Sequence, residues 1–232
     1  TLNMNELDAA GLADGAATVS ATATDAAGNV SAPATANVTL DNTAPTAPTV
    51  APDLTDASDT GVSNTDDITS DTTPTFTGTG TAGDTVTLYD DGTAVGTALV
   101  QPDGSYSVTP TTPIADGVSD FTVTFTDPNG NESTPSPALT VTIDSTAPTD
   151  PAAAPDMDEA SEPGASKTDD ITSDPTPTDS GTGGIAGETV TLYADGVPVG
   201  TGTVAGDGSY SVTPDAPLTD GTPALTVSFT DP

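Results

Sequence analysis

The sequence predicts an all-β fold: tandem antiparallel β-sandwiches of about seven strands each, repeating every 103 residues or so and joined head to tail in a rod. Three observations predict it. Blocks of sequence recur at a fixed spacing, apolar residues alternate with threonine at a period of two, and Gly- and Asp-rich turns interrupt the alternating runs.

The recurrence sets the domain layout. Asp41-Asn42-Thr43-Ala44-Pro45 returns as Asp144-Ser145-Thr146-Ala147-Pro148, and Thr65-Asp66-Asp67-Ile68-Thr69 returns at 168–172, each 103 residues on. Thr87 to Gly92 matches Thr191 to Gly196, and Asp103 to Pro110 matches Asp207 to Pro214, now 104 residues on, so one residue is inserted around Gly183-Gly184. An Asp-Gly turn preceded by Leu or Ile recurs at 12–15, 114–117 and 218–221, and Thr24 to Asn29 matches Thr126 to Asn131. The expected layout is the C-terminal part of one repeat (1–40), a complete repeat (41–143) and a repeat lacking its last strand (144–232), a slice of a longer array.

Within the complete repeat, strands are expected over 48–54, 74–79, 84–90, 94–101, 104–109, 119–127 and 134–143. Val86 and Leu88 alternate with Thr85 and Thr87. Phe121, Val123 and Phe125 alternate with Thr122, Thr124 and Thr126, and Leu139, Val141 and Ile143 with Thr140 and Thr142. Apolar-in, threonine-out is the pattern of half-buried antiparallel strands. Turns are expected at Ala82-Gly83-Asp84, Asp91-Gly92, Asp103-Gly104, Asp116-Gly117 and Asn129-Gly130. The predicted core is Phe76, Leu88, Tyr106, Val108, Phe121, Val123, Phe125, Leu139, Val141 and Ile143. It is thin. Leu, Ile, Val and Phe make up about 16% of the chain, under the roughly 20% below which a highly charged chain tends to disorder, so something besides apolar burial must hold the fold.

Charge supplies a candidate. The chain has 35 acidic residues against one basic residue, no His and no Cys, a formal charge of −34. Zinc, haem and iron–sulfur centres, and Ser-His or Cys-His catalysis, lack their ligands and bases. Nucleic acid and anionic membrane would meet a negative surface, and no apolar run is long enough to span a bilayer. Without cysteine, a secreted form is held together without disulfides.

In a seven-stranded sandwich, the loop after the first strand and the end of the last strand share one end; the loop before the last strand lies at the other. Head-to-tail stacking therefore gathers acids at each junction. The first offers Asp41 with Asp127, Asn129 and Asn131; the second offers Asp59, Asp66, Asp67 and Asp144 with Asp231. Two like charges about 4 Å apart repel by about 4 kcal/mol at an effective dielectric of 20. A hard cation removes that cost. Ca²⁺ takes 6–8 oxygens from Asp, Asn and carbonyls in flexible loops, whereas Mg²⁺ prefers fewer carboxylates and several waters. The plainer alternative is that these acids are solvated or cap turns.

The Asp-x-Thr-Ala-Pro linker, the loop Ser58 to Thr69, the Thr-Leu-Tyr-x-Asp-Gly hairpin and the Thr-Asp-x-x-Gly-Asn loop together resemble the bacterial Ig-like extender repeats of giant type I-secreted, RTX-type surface adhesins and biofilm-associated proteins. The resemblance covers essentially the whole chain. It implies Ig-like sandwiches, an extracellular location at the bacterial surface or in a biofilm matrix, and calcium clamping neighbouring repeats, with other copies of the chain as further partners in a fibre.

The third repeat departs from the pattern. Glu162 stands where the middle repeat has Asp59, Lys167 where it has Asn64, and Asp169 and Asp170 keep the acidic pair, so an altered or weaker calcium site is expected there. Asp179 replaces core Phe76. A buried unpaired carboxylate is expensive, so a displaced or frayed strand is expected, linked to the glycine insertion. Lys167 is expected at the surface.

Catalysis is not expected. Asp59-Thr60-Gly61 and Asp179-Ser180-Gly181 spell the motif of aspartic proteases, but that chemistry needs two symmetry-related carboxylates, and these occupy different places in their repeats. A glycosidase needs two carboxylates flanking a cleft, and no aromatic sugar platform is evident. The leading expectation is a calcium-stiffened spacer. A glycan- or protein-binding Ig-like module is the alternative, disfavoured by loops that are nearly alike between repeats and dominated by Asp, Gly and Thr. A third reading makes the acidity a salt adaptation without any specific ion.

Overall fold

Strand follows strand, with no helix, in the computed structural model, which describes residues 13–167 and 169–231. The described residues form two compact units that do not coincide with the sequence repeats. One holds residues up to Thr55 with Thr73–Ile114 and Val118–Val141; the other holds Asp56–Thr72, Ala115–Gly117 and residues from Thr142 on.

In the first unit, β1 (Gly15–Ala21) and β2 (Ala34–Leu40) form an antiparallel pair, Gly15 opposite Leu40. The chain continues through β3 (Asp53–Leu54), β4 (Ile68–Thr69, in the second unit), β5 (Phe76–Thr79), β6 (Thr85–Asp90), β7 (Thr93–Leu99), β8 (Ser105–Val108), β9 (Gly117–Thr126) and β10 (Leu139–Ile143). Strands β3, β5 and β8 make one sheet; β10, β9, β6 and β7 are neighbours in a second. The period of two now has its consequence. Phe76 of one sheet meets Phe121 of the other with ring centroids 4.5 Å apart, and Tyr106 sets its ring edgewise to Phe125 at 6.0 Å. Side chains of this size contribute about 1.5–3 kcal/mol each when buried. The β6–β7 hairpin turns through Asp91 and Gly92, both left-handed at φ 46° and 80°, the conformation a two-residue hairpin of this twist requires.

In the second unit, the end of β10 runs parallel to β4, Thr142 beside Ile68. The third repeat adds β11 (Asp156–Met157), β12 (Asp179–Thr182), β13 (Thr189–Ala194), β14 (Val197–Thr203), β15 (Ser209–Val212) and β16 (Leu225–Thr230). They form two three-stranded sheets, β11-β12-β15 and β14-β13-β16. Val190, Leu192, Val204, Tyr210 and Val212 are its core, with Phe229 5.6 Å from Tyr210.

Several expectations need correction. The strand expected over 48–54 is reduced to Asp53–Leu54, because Pro48 and Pro52 have no N–H to give a ladder. That over 134–143 begins only at Leu139, with Pro135 and Pro137 before it. Two buried serines stand in for the missing ladder: the Phe125 and Val123 N–H groups donate to Ser133 Oγ and Ser136 Oγ, each at 3.0 Å, and the serine N–H groups return bonds to the carbonyls of Phe125 and Val123. Leu139 is half-buried rather than core, while Leu54, Val86, Val100 and Ile114 join the core. The strand at Asp179 is neither displaced nor frayed. Asp179 pairs with Val212 as Phe76 pairs with Val108, and the extra residue is taken up in the turn after Thr182.

Candidate cation sites at the repeat junctions

In the first unit, the linker meets the loop that follows β9. Asp127 closes that loop on itself, its Oδ1 accepting the N–H groups of Asn129 and Asn131 at 2.9 Å and its Oδ2 the Asn131 amide at 2.8 Å. These bonds, the Asn131 side chain foremost, hold the Asp127 carboxyl below the usual carboxylate range. The same loop reaches Asp41. Asn129 Nδ2 donates to Asp41 Oδ2 at 2.7 Å and Asn131 Nδ2 to the Asp41 carbonyl at 3.0 Å. All four residues expected at this junction are thus brought together, the asparagines presenting N–H rather than oxygen.

A fifth acid belongs with them. Asp84, buried at the start of β6, has its carboxyl pushed up by burial and by the negative charge of Asp127.

The second unit repeats the plan. Asp144 of the linker donates its N–H to the Thr69 carbonyl and accepts from the Thr146 N–H. Glu188 takes the place of Asp84. It is only 2% exposed, its Oε2 accepts the Ile185 N–H at 2.7 Å, and its Oε1 has no hydrogen-bond partner. Asp231 follows β16 as Asp127 follows β9, and its carboxyl is pushed up by burial, then by Asp144 and Glu188. A cleft of about 510 Å³ opens here, with Asp144, Asp231, Ser70 and Phe229 among its walls.

The remaining acids expected at this junction do local work. Asp59 is 5% exposed; its Oδ2 accepts the Asp67 N–H at 3.3 Å and its Oδ1 has no partner. Asp66 caps the Ile68 N–H. In the third repeat, Glu162 accepts the Asp170 N–H at 2.8 Å and Asp169 caps the Ile171 N–H. Asp67 and Asp170 hold left-handed backbone at φ 58° and 54°. Among the described residues no three acidic side chains already enclose an ion-sized point. The acids nonetheless offer only oxygen, and two of their buried oxygens, on Asp59 and Glu188, lack partners; both features suit a hard cation.

Four contributors were not among the residues expected at the junctions. Asp84 and Glu188 were visible only as the last residue of an Ala-Gly-acid turn. Asp14 and Asp116, read as turn residues, staple the linkers. Asp116 accepts the Ser145 N–H at 3.1 Å and the hydroxyls of Ser145 and Thr146 at 2.7 Å each, and Asp14 binds Asn42 and Thr43 in the same way. The recurrence of Asp-Gly ahead of each linker was the available signal.

The sequence profile of the bacterial Ig-like domain family matches residues 46–145 and 149–232. No curated protein matches the chain. Among solved structures, it is similar to a Ca²⁺-stabilised adhesin with which an Antarctic bacterium binds ice (25% identity over 94% of this chain and 56% of that one, TM-score 0.35). It is similar also to a 1.5-MDa bacterial ice-binding adhesin (22% identity, 97% of this chain and 77% of that one, TM-score 0.30). A tetra-tandem repeat from the extending region of a large adhesion protein is a third (24% identity, 95% and 58%, TM-score 0.29).

Proposed function

We propose, from the premise that the chain belongs to the bacterial Ig-like domain family, that it is an extender of a secreted surface adhesin or biofilm-matrix fibre, with Ca²⁺ at the junctions fixing each repeat against its neighbour. One observation carries the reading. The same three acidic positions recur at two junctions: Asp41, Asp84 and Asp127 at one, Asp144, Glu188 and Asp231 at the other. They come from a linker, the turn before one strand and the loop after another, and the one basic residue of the chain is not among them.

Asp127 raises the proton affinity of Asp84, and Asp144 and Glu188 raise that of Asp231; like charges gathered without a cationic partner are costly unless an ion joins them. Calcium fits the donors, since it accepts carboxylates, amide oxygens and carbonyls in loops, and extracellular sites bind it at about 10⁻⁴–10⁻³ M. Asn129 and Asn131 would serve by turning their amide oxygens inward, and the exposed Asp66, the half-buried Asp67 and the buried Asp59 add negative charge on the loop 56–72. The repeats we assign are 1–40, 41–143 and 144–232, each the principal partner of the next. No step in this role calls for catalysis.

Calcium titration with EGTA reversal tests the proposal, followed by thermal melting and small-angle scattering on the same samples. Millimolar Ca²⁺ should raise the melting temperature and lengthen the particle. A response no larger than that to matched ionic strength would end it.

A further inference from the structure

The loops 56–72 and 159–174 share one frame. In each, a threonine hydroxyl (Thr69, Thr172) donates to the carbonyl two positions after the loop's first acid (Ser58, Ser161 in the two repeats), and a left-handed aspartate (Asp67, Asp170) gives its N–H to a buried acid (Asp59, Glu162). Into this frame the third repeat inserts the chain's one basic side chain. Lys167 Nζ donates to the Glu159 carbonyl at 3.1 Å and to the Glu162 carbonyl. It forms no ion pair by those bonds; its charge lies against two main-chain oxygens beside a buried carboxylate that is 1% exposed.

The middle repeat has Asn64 at this position, and there the equivalent acid keeps a fault. Asp59 Oδ1 is buried without a partner, whereas among the described residues no Glu162 oxygen is buried without one, and Glu162 Oε1 accepts the Asp170 N–H. A buried anionic oxygen with no donor is costly, and carbonyls plus a carboxylate are what a small hard cation takes.

We propose that Lys167 is a built-in cation: its ammonium fills, in the third repeat, the place that a divalent ion takes in the middle repeat on Asp59 Oδ1 and the carbonyls of Asp56 and Asp59. Loop 159–174 is therefore ordered without calcium, and loop 56–72 is ordered by it. The calcium half of this inference rests on the junction reading above; the lysine half rests on the ammonium contacts alone.

The test uses the whole chain, with hydrogen exchange read separately over 56–72 and 159–174 and calcium counted by titration calorimetry. In EGTA the wild-type loop 159–174 should be protected, and Lys167→Met should lower that protection at least tenfold. Lys167→Asn should make it depend on Ca²⁺. Asn64→Lys should protect loop 56–72 in EGTA and remove one bound calcium. Unchanged protection in Lys167→Met, or an unchanged calcium count in Asn64→Lys, overturns the proposal. If the wild type binds no calcium at all, the junction reading falls with the calcium half, and Lys167→Met alone decides the lysine half.

Discussion

A carboxyl with one unpartnered oxygen, Asp179 is 1% exposed in the third repeat, and Asp156, Asp158, Asp170 and Tyr210 stand close enough to feel its charge. Burial first, then those acids, push its carboxyl up from 3.8 to about 6. The sign follows from proton counting. Below about pH 4 both folded and unfolded chains hold the proton. As pH rises from there to 6 the unfolded chain releases it first, so stability falls, and above 6 the loss is complete. Asp179→Asn should therefore stabilise the third repeat at pH 7 by about 1–3 kcal/mol, with the gain shrinking towards pH 4. Denaturant melts of both proteins across that range would show it; a gain independent of pH would refute the assignment. Asp179→Phe should do the same through packing, since its opposite number Phe76 stacks on Phe121. Nothing in the one-dimensional sequence told a tolerated buried acid from a frayed strand. The backbone ladder to Val212 decides for the strand.

At the scale of elements, the clearest dependence is that of β9 on two serines. Val123 and Phe125 are core residues whose N–H groups would face a proline-rich segment with no regular ladder. Ser136 and Ser133 supply the acceptors. Ser136→Ala leaves the buried Val123 N–H unsatisfied and should cost about 1–3 kcal/mol, read from the denaturation midpoint. Thr134→Ala, at an exposed side chain, is the control and should change little. The strands with threonine alternation were legible because a period of two leaves only one face apolar, and the Asp91-Gly92 turn because so few residues accept its backbone. The serines were not legible, because a serine in or just before a proline-rich run reads as loop until its partner strand is in place.

For the whole molecule, the junction acids separate a specific ion from general screening. Without calcium, Glu188→Gln removes repulsion on Asp231 and should raise the melting temperature of the third repeat. With calcium it removes a ligand and should lower the calcium-induced gain severalfold. A salt-adapted surface would instead respond equally to NaCl and CaCl₂ of matched ionic strength, and Glu188→Gln would shift both alike. The sequence by itself determined the repeat, the all-β class and the lack of any thiol or imidazole side chain, because composition and periodicity are properties of the chain. Only the tertiary structure decided which acids stand together. Asp84 with Asp127, Glu188 with Asp231, and Lys167 on two carbonyls are neighbours across 43 residues or a loop turn. Proximity of that kind is set by sandwich topology and burial, which bring distant turns to one end, and not by any spacing along the chain.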